Sequence, residues 1–195
     1  LAREAEEDLD RLKLVVTRVD TTRSAQHHFK IQVQEWKNVL IRGGDPALYD
    51  KYWKGFEDHE RIVGDRLAKA REAATKLNVA ARFDTAPFET AMKALGVSYR
   101  QALQGQDRTR PDFTQAVDKA VRGIDRAPDE LLDKLNKDAA RLAEEIDAEA
   151  MRHLEEEAGM TRITLLVLLL AFLGIGIWLS LVISRTIVGR LQSVE

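Results

Sequence analysis

Side chains that could bind a small anionic molecule are gathered around one turn of the sequence. Residues 33–53 read VQEWKNVLIRGGDPALYDKYW, so cations and aromatic rings lie on both sides of the turn at 43–46. An arginine guanidinium can bind a carboxylate through two parallel hydrogen bonds, and aromatic rings can form the walls of a pocket. Arginines at a second turn, near residue 125, could complete such a site. The candidate ligand-binding residues are Lys37, Arg42, Tyr52, Trp53, Arg122 and Arg126.

A packing explanation for the same region is open as well. Trp36, Tyr52 and Phe56 follow the spacing of a buried helix face, which is typical of core residues. On that interpretation Lys37 and Arg42 lie on the solvated face, or next to the negative C-terminal end of the first helix. For each of the aromatic residues the sequence favours the packing explanation, and a ligand site at this end of the bundle is the alternative.

The sequence contains no pattern that predicts catalysis or metal binding. Its histidines are few and scattered, and a metal site needs several ligands close together. They are His27, His28, His59 and His153. Acidic pairs such as Glu144-Glu145 fit a charged helix face, and there is no glycine-rich phosphate loop and no nucleophile with a nearby base. We therefore expect no enzyme activity, no cofactor and no metal.

The overall charge gives no reason to expect a nucleic acid partner. The chain carries 30 basic and 32 acidic residues, intermixed, for a net charge of −2, whereas nucleic-acid-binding proteins present basic patches. It has no cysteine, which suits an exported domain without disulfides and would suit a cytosolic one too.

Residues 163–183 read ITLLVLLLAFLGIGIWLSLVI and include no charged side chain. At 1.5 Å per residue, a helix of about 21 residues spans the roughly 30 Å hydrocarbon core of a bilayer. We therefore predict a transmembrane helix over residues 161–184. Arg185 and Arg190 follow this span, while three glutamates at 155–157 precede it. The basic residues after the span predict a cytoplasmic C-terminus, with residues 1–160 on the periplasmic side.

Before the predicted span, apolar residues recur every three or four positions, which is typical of amphipathic helices, and no strand pattern is present. Short corners with glycine, proline or capping residues divide the pattern. We predict an all-α fold: an up-down-up-down four-helix bundle with long helices, the fourth continuing into the transmembrane helix. The predicted helices cover residues 2–43, 46–82, 86–125 with an interruption near 105–111, and 128–160.

Chain lengths constrain how these helices connect. We expect the interruption near 105–111 to be a lateral loop, because the two parts of the third helix together match the length of their neighbours. The first and fourth helices must both meet the membrane, so the turns at Gly43 and Asp125 should lie together at the far end, with the turn at Asp84 near the bilayer. The chain begins in helical rhythm without a capping residue or export signal, which we interpret as a fragment that lacks an upstream membrane helix.

Two stretches carry a resemblance to a known family. FKIQVQEWKNVLIRGGDPALYDKYWKGFEDHERIV at 29–63 and VRGIDRAPDELLDKL at 121–135 resemble the periplasmic four-helix-bundle sensor domain of bacterial methyl-accepting chemotaxis proteins. SRTIVGRLQSVE, after the span, is similar to the start of a HAMP linker. Arg185, Ile187 and Leu191 fit that pattern, whereas Arg190 occupies the position of the expected proline. The resemblance divides the chain into a sensor domain at 1–160, a transmembrane helix at 161–184 and the start of a HAMP linker at 185–195.

The resemblance implies a receptor for chemotaxis and signal transduction. Such a receptor is a homodimer that contacts the lipid of the bacterial inner membrane, binds a small molecule such as a carboxylate outside, and relays a helix displacement inward. Its cytoplasmic region, beyond residue 195, would act on the chemotaxis kinase and adaptor. In related amino-acid receptors, arginines near the far end of the first helix contact the ligand at the dimer interface, which matches the candidate site in location only. The alternatives are an input module of a sensor histidine kinase or membrane-bound cyclase, and a helical membrane tether without a ligand.

Overall fold

The computed structural model describes residues 2–191, excluding the side chains of residues 2, 4, 5, 153, 154, 156–158, 161, 174 and 176–191. Within this range all regular secondary structure is helical and there is no β-strand, so the predicted all-α class is confirmed. The helices are α1 (Ala2–Arg42), α2 (Pro46–Lys76), a short 3-10 helix (Ala80–Arg82), α3 (Ala86–Leu103), α4 (Phe113–Val121) and α5 (Arg126–Leu191). The chain separates into two compact units, residues 1–144 and residues 145–195.

The second unit consists of α5 from residue 145 onward. Among the described residues, no helix has an apolar stretch long enough to cross a membrane. The structure does not describe the side chains of residues 176–183 in the predicted span, nor those of the predicted HAMP residues up to 191. Residues 192–195 lie outside the described part of the chain. The HAMP assignment therefore stays a prediction.

In the first unit, α1 and α2 form an antiparallel hairpin. The predicted capping of its turn is confirmed: the Asp45 carboxylate accepts hydrogen bonds from the backbone N–H groups of Ala47 at 2.8 Å and Leu48 at 3.2 Å, and Pro46 begins α2. These bonds satisfy N–H groups that the first turn of a helix otherwise leaves unpaired. We refer to the turn at 43–45, with the adjoining ends of α1 and α2, as the tip.

At its other end, α2 stops at Lys76 rather than near residue 82. Asn78 adopts a left-handed conformation with φ of 58°. Its N–H donates to the Thr75 carbonyl at 3.0 Å, and the N–H of Val79 donates to the Ala74 carbonyl at 2.9 Å. This is a Schellman motif, in which asparagine can take the place of glycine. Small and apolar residues continue at helical spacing past the motif, so periodicity alone did not reveal where the helix ends.

α3 packs against α2 in the antiparallel sense. Far from the tip, Arg71 on α2 pairs with Glu89 on α3 at 3.0 Å. Nearer the tip, Glu60 on α2 pairs with Arg100 on α3 at 2.7 Å. The two pairs follow opposite orders along the two helices, which fixes their relative direction.

The beginning of α5 packs against α1, also antiparallel. The amide of Gln26 donates to the Asp133 carboxylate, and Arg18 Nη2 donates to the Ala139 carbonyl oxygen at 3.0 Å. The helices of this unit enclose one apolar core. Its larger members include Phe29, Trp36, Phe56, Leu67, Phe88, Leu95, Tyr99, Leu132 and Leu142. Burying each of these side chains stabilises the fold by about 1.5–3 kcal/mol before entropic costs, so the core accounts for the helical bundle.

The connection from α3 to α5 differs from the predicted one. The sequence led us to expect a lateral loop followed by more of the same helix, with the turn at Asp125 beside the tip. In the structure, residues 104–112 lie beside the tip instead, because the Arg108 guanidinium is 3.8 Å from the centre of the Tyr49 ring. Gly105 in this loop has φ of 72°, a conformation that glycine adopts without strain.

α4 then leads the chain away from the tip, beside α1 and α3. Near its start, Thr114 Oγ1 donates to the Leu40 carbonyl oxygen at 2.7 Å. After the end of α4, Gly123 turns the chain with φ of 76°. Asp125 follows this turn and lies near Tyr99. Burial of the phenol, and to a smaller extent the negative charge of Asp125, raises the pKa of Tyr99. The reversal between α3 and α5 is thus spread over the loop, α4 and the turn after it.

Candidate ligand-binding site

A row of aromatic rings leads from the core to the surface just below the tip. Trp36 stacks on Tyr99 with ring centres 4.0 Å apart, and both are buried. Phe56 packs against Trp36 at 6.3 Å and against Trp53 at 5.2 Å. Tyr49 continues the row, nearly parallel to Trp53 at 6.1 Å. The inner rings therefore belong to the core, as the packing explanation expects, and only the outer two are partly exposed.

These outer rings form one wall of a groove between α2 and α3. The groove has a volume of about 490 Å³, within the size range of small-molecule sites. It is lined by Tyr49, Trp53, Val97, Arg100, Gln101, Leu103 and Gln104. Val97 and Gln101 lie one turn apart on α3, and Gln104 follows directly after its end, so one face of α3 and the residue after it form the opposite wall. Val97 is 53% exposed, which leaves apolar surface for a ligand to cover.

Arg100 is the charged residue of the groove, and its charge is already balanced. Nη2 lies 2.7 Å from Glu60 Oε2 and Nη1 lies 3.2 Å from Oε1, with Glu57 at 3.7 Å. The hydrogen bond to Glu60 raises the pKa of Arg100. The guanidinium also lies 5.5 Å from the ring centre of Trp53 and 5.4 Å from that of Phe56. The carboxylates of Glu57 and Glu60 together outweigh the single positive charge of Arg100, so this wall of the groove does not attract an anion.

Arg108 is a second cation next to Tyr49, although it does not line the groove. Its guanidinium lies against the ring at 3.8 Å, a cation–π contact. Its Nη1 is buried and has no hydrogen-bond partner among the described residues. Arg108 therefore presents an unused donor next to the ring that lines the groove, and a buried donor of this kind favours binding of an acceptor.

Two of the predicted site residues, Arg42 and Tyr52, meet each other at the tip. Arg42 Nη1 donates to the Tyr52 hydroxyl at 2.6 Å, and the guanidinium lies 5.6 Å from the centre of the Tyr52 ring. Arg42 is exposed. Because this partner is a neutral hydroxyl rather than a carboxylate, the positive charge of Arg42 stays available to an anion.

Three other candidates lie elsewhere. Lys37 is exposed and lies five residues before Arg42, which places it about 140° around the helix axis. Arg122 pairs with Asp118, one turn earlier, at 2.7 Å. Arg126 is exposed at the start of α5. In the described part of the chain no hydrogen bond, ion pair or ring contact joins these three to the Arg42–Tyr52 pair or to Trp53, which lines the groove.

Sequence reasoning missed the ion pair of Glu60 and Arg100. The two residues are 40 positions apart and meet only because α2 and α3 pack together, so spacing could not pair them. One signal was present. At Gly96, one turn before Arg100, an added Cβ would lie 2.3 Å from Glu60 Oε1. Glycine inside a helix costs stability, and such a position indicates a close approach by a neighbour.

Two histidines that seemed scattered in the sequence meet across α1 and α2. His28 Nδ1 lies 2.9 Å from His59 Nδ1, and the His27 ring packs edge-on against His28 at 5.5 Å. Desolvation, followed by the charges of His59, His27 and Arg66, lowers the pKa of His28. A hydrogen bond between two Nδ1 atoms needs a lone pair on one, so at least one ring is neutral. Within residues 2–191, as far as they are described, no three metal-binding side chains are close enough to hold an ion.

Comparison with known proteins points to bacterial chemoreceptors. No protein-family model and no solved structure matches the chain. One curated relative is the methyl-accepting chemotaxis protein CtpH of Pseudomonas aeruginosa, which is 38% identical over 135 residues. The match covers 66% of this chain and 22% of the relative, so the chain spans about a fifth of that protein's length. This similarity supports the resemblance to chemoreceptors predicted from the sequence.

Proposed function

We propose that the chain is the sensing part of a transmembrane chemoreceptor, which binds a small molecule outside the inner membrane and signals to a cytoplasmic domain. The observation that carries this proposal is the 38% identity to a methyl-accepting chemotaxis protein over 135 residues. An all-helical unit with a groove of small-molecule size beside its tip is compatible with that role. The proposal assigns the chain no enzyme activity.

The membrane segment of this proposal rests on the sequence. Residues 163–183 carry no charge, and about 20 apolar residues are enough for a helix to span a bilayer. Arg185 and Arg190 after the span favour a cytoplasmic C-terminus. Residues 1–160 would then be periplasmic, a HAMP linker would begin at residue 185, and the region beyond it would engage the chemotaxis kinase and adaptor.

We expect the partner of the sensing unit to be a second copy of the chain. Leu9, Leu12 and Val16 are each about half exposed, at 51%, 50% and 50%. Their spacing of three and four places them on one face of α1. An exposed apolar stripe of this kind is typical of an interaction surface, and a dimer through α1 would cover it.

The groove suits a small molecule with an apolar or aromatic body and a carboxylate. Its body would lie against Tyr49, Trp53 and Val97, which line the groove. Arg100 is held by two carboxylates and cannot serve the anionic end. Arg108 does not line the groove, but its guanidinium lies on Tyr49, which does, and its buried Nη1 lacks a partner in the described structure, so we propose Arg108 as the cation for that end. A charge-assisted hydrogen bond would form there.

Titration of the chain in detergent with aliphatic and aromatic carboxylates tests the site. Binding should raise the melting temperature and change tryptophan fluorescence. Arg108→Ala should weaken binding about tenfold, which corresponds to the ~1.5 kcal/mol of one charge-assisted hydrogen bond. Trp53→Ala should weaken binding as well, because it removes one wall of the groove. Lys37→Ala, an exposed cation on α1, is the control and should bind as the parent does. Affinity lost only in Arg42→Ala would move the ligand to the Arg42–Tyr52 pair.

A chimera tests the receptor role separately. Residues 1–195, with a first membrane helix restored, would be fused in register to the HAMP and signalling domains of another chemoreceptor. Ligands that bind the parent chain should change the output of the chimera. Binding without any change in output would contradict the receptor role while leaving the site intact.

A further inference from the structure

A second groove lies between α2 and α3, further from the tip than the first. Two ion pairs join the helices in this region, Glu60 with Arg100 at 2.7 Å and Arg71 with Glu89 at 3.0 Å. Glu60, Arg71 and Glu89 line the second groove, so it occupies the interval between the two pairs. Along α2 that interval is about 16 Å long. Among the described residues, none that lines the second groove also lines the first.

The floor of the second groove is apolar and belongs to the core. Leu67 from α2 and Phe88 and Met92 from α3 line it, and each of these side chains is buried. The groove has a volume of about 280 Å³, whereas an apolar cavity of about 150 Å³ is large enough to hold benzene. The second groove therefore has room for one compact ring above an aliphatic and aromatic floor.

Gly64 opens the second groove on the α2 side. It lies one turn after Glu60 and one turn before Leu67, on the face of α2 that lines the groove. An added Cβ at Gly55 or Gly96, the other glycines within α2 and α3, would press against a glutamate side chain, so packing accounts for both. An added Cβ at Gly64 would meet no described atom within 4 Å. Glycine destabilises a helix interior relative to alanine, and a ligand that approaches the backbone closely would account for it here.

The charges around the second groove balance one another. Three cations and three carboxylates lie on its rim or in the ion pairs that bound it: Arg71, Lys93, Arg100, Glu57, Glu60 and Glu89. Lys93 follows Glu89 by one turn of α3, and the arginines are held by the ion pairs. The rim therefore attracts neither sign of charge strongly. An uncharged ligand also avoids the cost of removing a charge from water above an apolar floor.

We propose that the second groove binds a compact uncharged molecule with one aromatic or aliphatic ring, seated on Leu67, Phe88 and Met92 in the space that Gly64 leaves open. An aromatic ring would also gain a contact with the Met92 sulfur. Because an ion pair closes each end of the groove, a helix of a partner protein laid along α2 and α3 would have to break both pairs. The site differs from the first groove in its ligand class and does not depend on the proposed receptor function.

NMR of the methionine methyl groups observes the second groove directly, because the chain has only three methionines. Met92 lines the groove, whereas Met151 and Met160 are exposed and belong to the second unit. The chain of 195 residues, labelled with ¹³C at these methyl groups and held in detergent micelles, is titrated with benzyl alcohol and with benzoate. The two probes carry the same ring and differ in charge. Met151 and Met160 report any effect of the probe on the micelle.

Benzyl alcohol should shift the Met92 signal in a saturable manner, because a bound ring lies against that methyl group. Benzoate should need about a tenfold higher concentration for the same shift, since its charge gains no partner in the groove. Absence of a saturable Met92 shift with benzyl alcohol overturns the proposal. Tighter binding of benzoate that is lost in Lys93→Gln would make the groove an anion site, which overturns the proposed class of ligand.

Gly64→Leu fills the space above the floor and should remove the saturable shift of Met92. Gly64→Ala is the matched control, because it improves helix propensity without filling the groove, and it should keep the shift. Gly64→Gln gives the same test as Gly64→Leu if the leucine variant does not fold. A saturable shift that persists in Gly64→Leu or Gly64→Gln overturns the proposal. Loss of the shift in Trp53→Ala would place the probe in the first groove instead. The measurement needs no signalling domain, so its outcome is separate from that of the receptor proposal.

Discussion

Replacing Gly96 with alanine should leave the stability of the protein nearly unchanged, although alanine is the better helix former. In a helix interior the exchange alone stabilises by about 1 kcal/mol. The new Cβ, however, would lie 2.3 Å from Glu60 Oε1 and 2.9 Å from Arg100 Nη1, so both side chains must move and their ion pair is lost. The pair is 40% exposed at the arginine and 26% at the glutamate, so after solvent screening its loss costs about 0.5–1 kcal/mol. The two effects nearly cancel.

Gly64→Ala is the matched control. Gly64 lies within α2, and an added Cβ would have no neighbour within 4 Å among the described atoms. This variant should gain about 1 kcal/mol, a rise of roughly 2–4 °C in Tm for a chain of this size. Thermal unfolding followed by circular dichroism, at low and high salt, compares the two. Gly96→Ala should also show less dependence on salt than the parent. A gain in Gly96→Ala equal to that in Gly64→Ala would refute the close approach of Glu60 and Arg100 to this helix.

The remaining predictions concern charge, packing, capping and topology. The pKa of His28 is lowered in the folded state, so the unfolded chain binds more protons and the free energy of unfolding should decline as pH falls below the ordinary value of 6.5. Urea unfolding at pH 7 and pH 5.5 should show this decline, and His28→Gln should make the unfolding free energy less dependent on pH. Phe56→Ala removes a fully buried ring and should cost about 3–5 kcal/mol, so a urea midpoint close to the parent's would contradict its place in the core. Asp45→Ala removes both cap bonds and should lower the unfolding free energy by about 1 kcal/mol, whereas Asp45→Asn should retain most of it. A cytoplasmic reporter fused after Glu195 should be active once an upstream membrane helix is restored, and alkaline phosphatase activity at that junction would reverse the proposed topology.

Local chemistry was predictable from the sequence. The cap at Asp45, the proline at the start of α2 and the apolar spacing of the helices each depend on residues within one or two turns of each other. The end of α2 at Lys76 depends on Asn78, a left-handed residue that is not glycine, and the spacing of apolar residues carries no information about that conformation. The reversal of the chain through α4 was not predicted, because the lengths of the predicted helices were compared on the assumption that every connection between them is short.

The sequence brought cations and aromatic rings together at the tip, but it could not say which of them share a surface. Trp36, Tyr52 and Phe56 fit the spacing of a buried helix face, but spacing could not show which rings lie in the core and which line a pocket. Tyr99 decides this, because it stacks on Trp36 from another helix. The same holds for charge: Arg100 is neutralised by Glu60, whereas Arg42 is bonded to a phenol, and neither pairing follows from spacing along the chain.

The loop at residues 104–112, beside the tip, contains a trypsin site whose cleavage could be used to follow binding in the groove. Trypsin cuts after arginine but not where proline follows, so Arg110, which precedes Pro111, is resistant and the bond after Arg108 is the cleavable one of the two. Arg108 is half-buried against Tyr49, and the same ring lines the groove. If the proposed ligand fills the groove and packs on Tyr49, we expect it to hold Arg108 in place as well, so that the protease draws this arginine into its active site less readily. The rate at which the bond after Arg108 is cut would then report occupancy of the groove, without a label and without knowledge of the ligand.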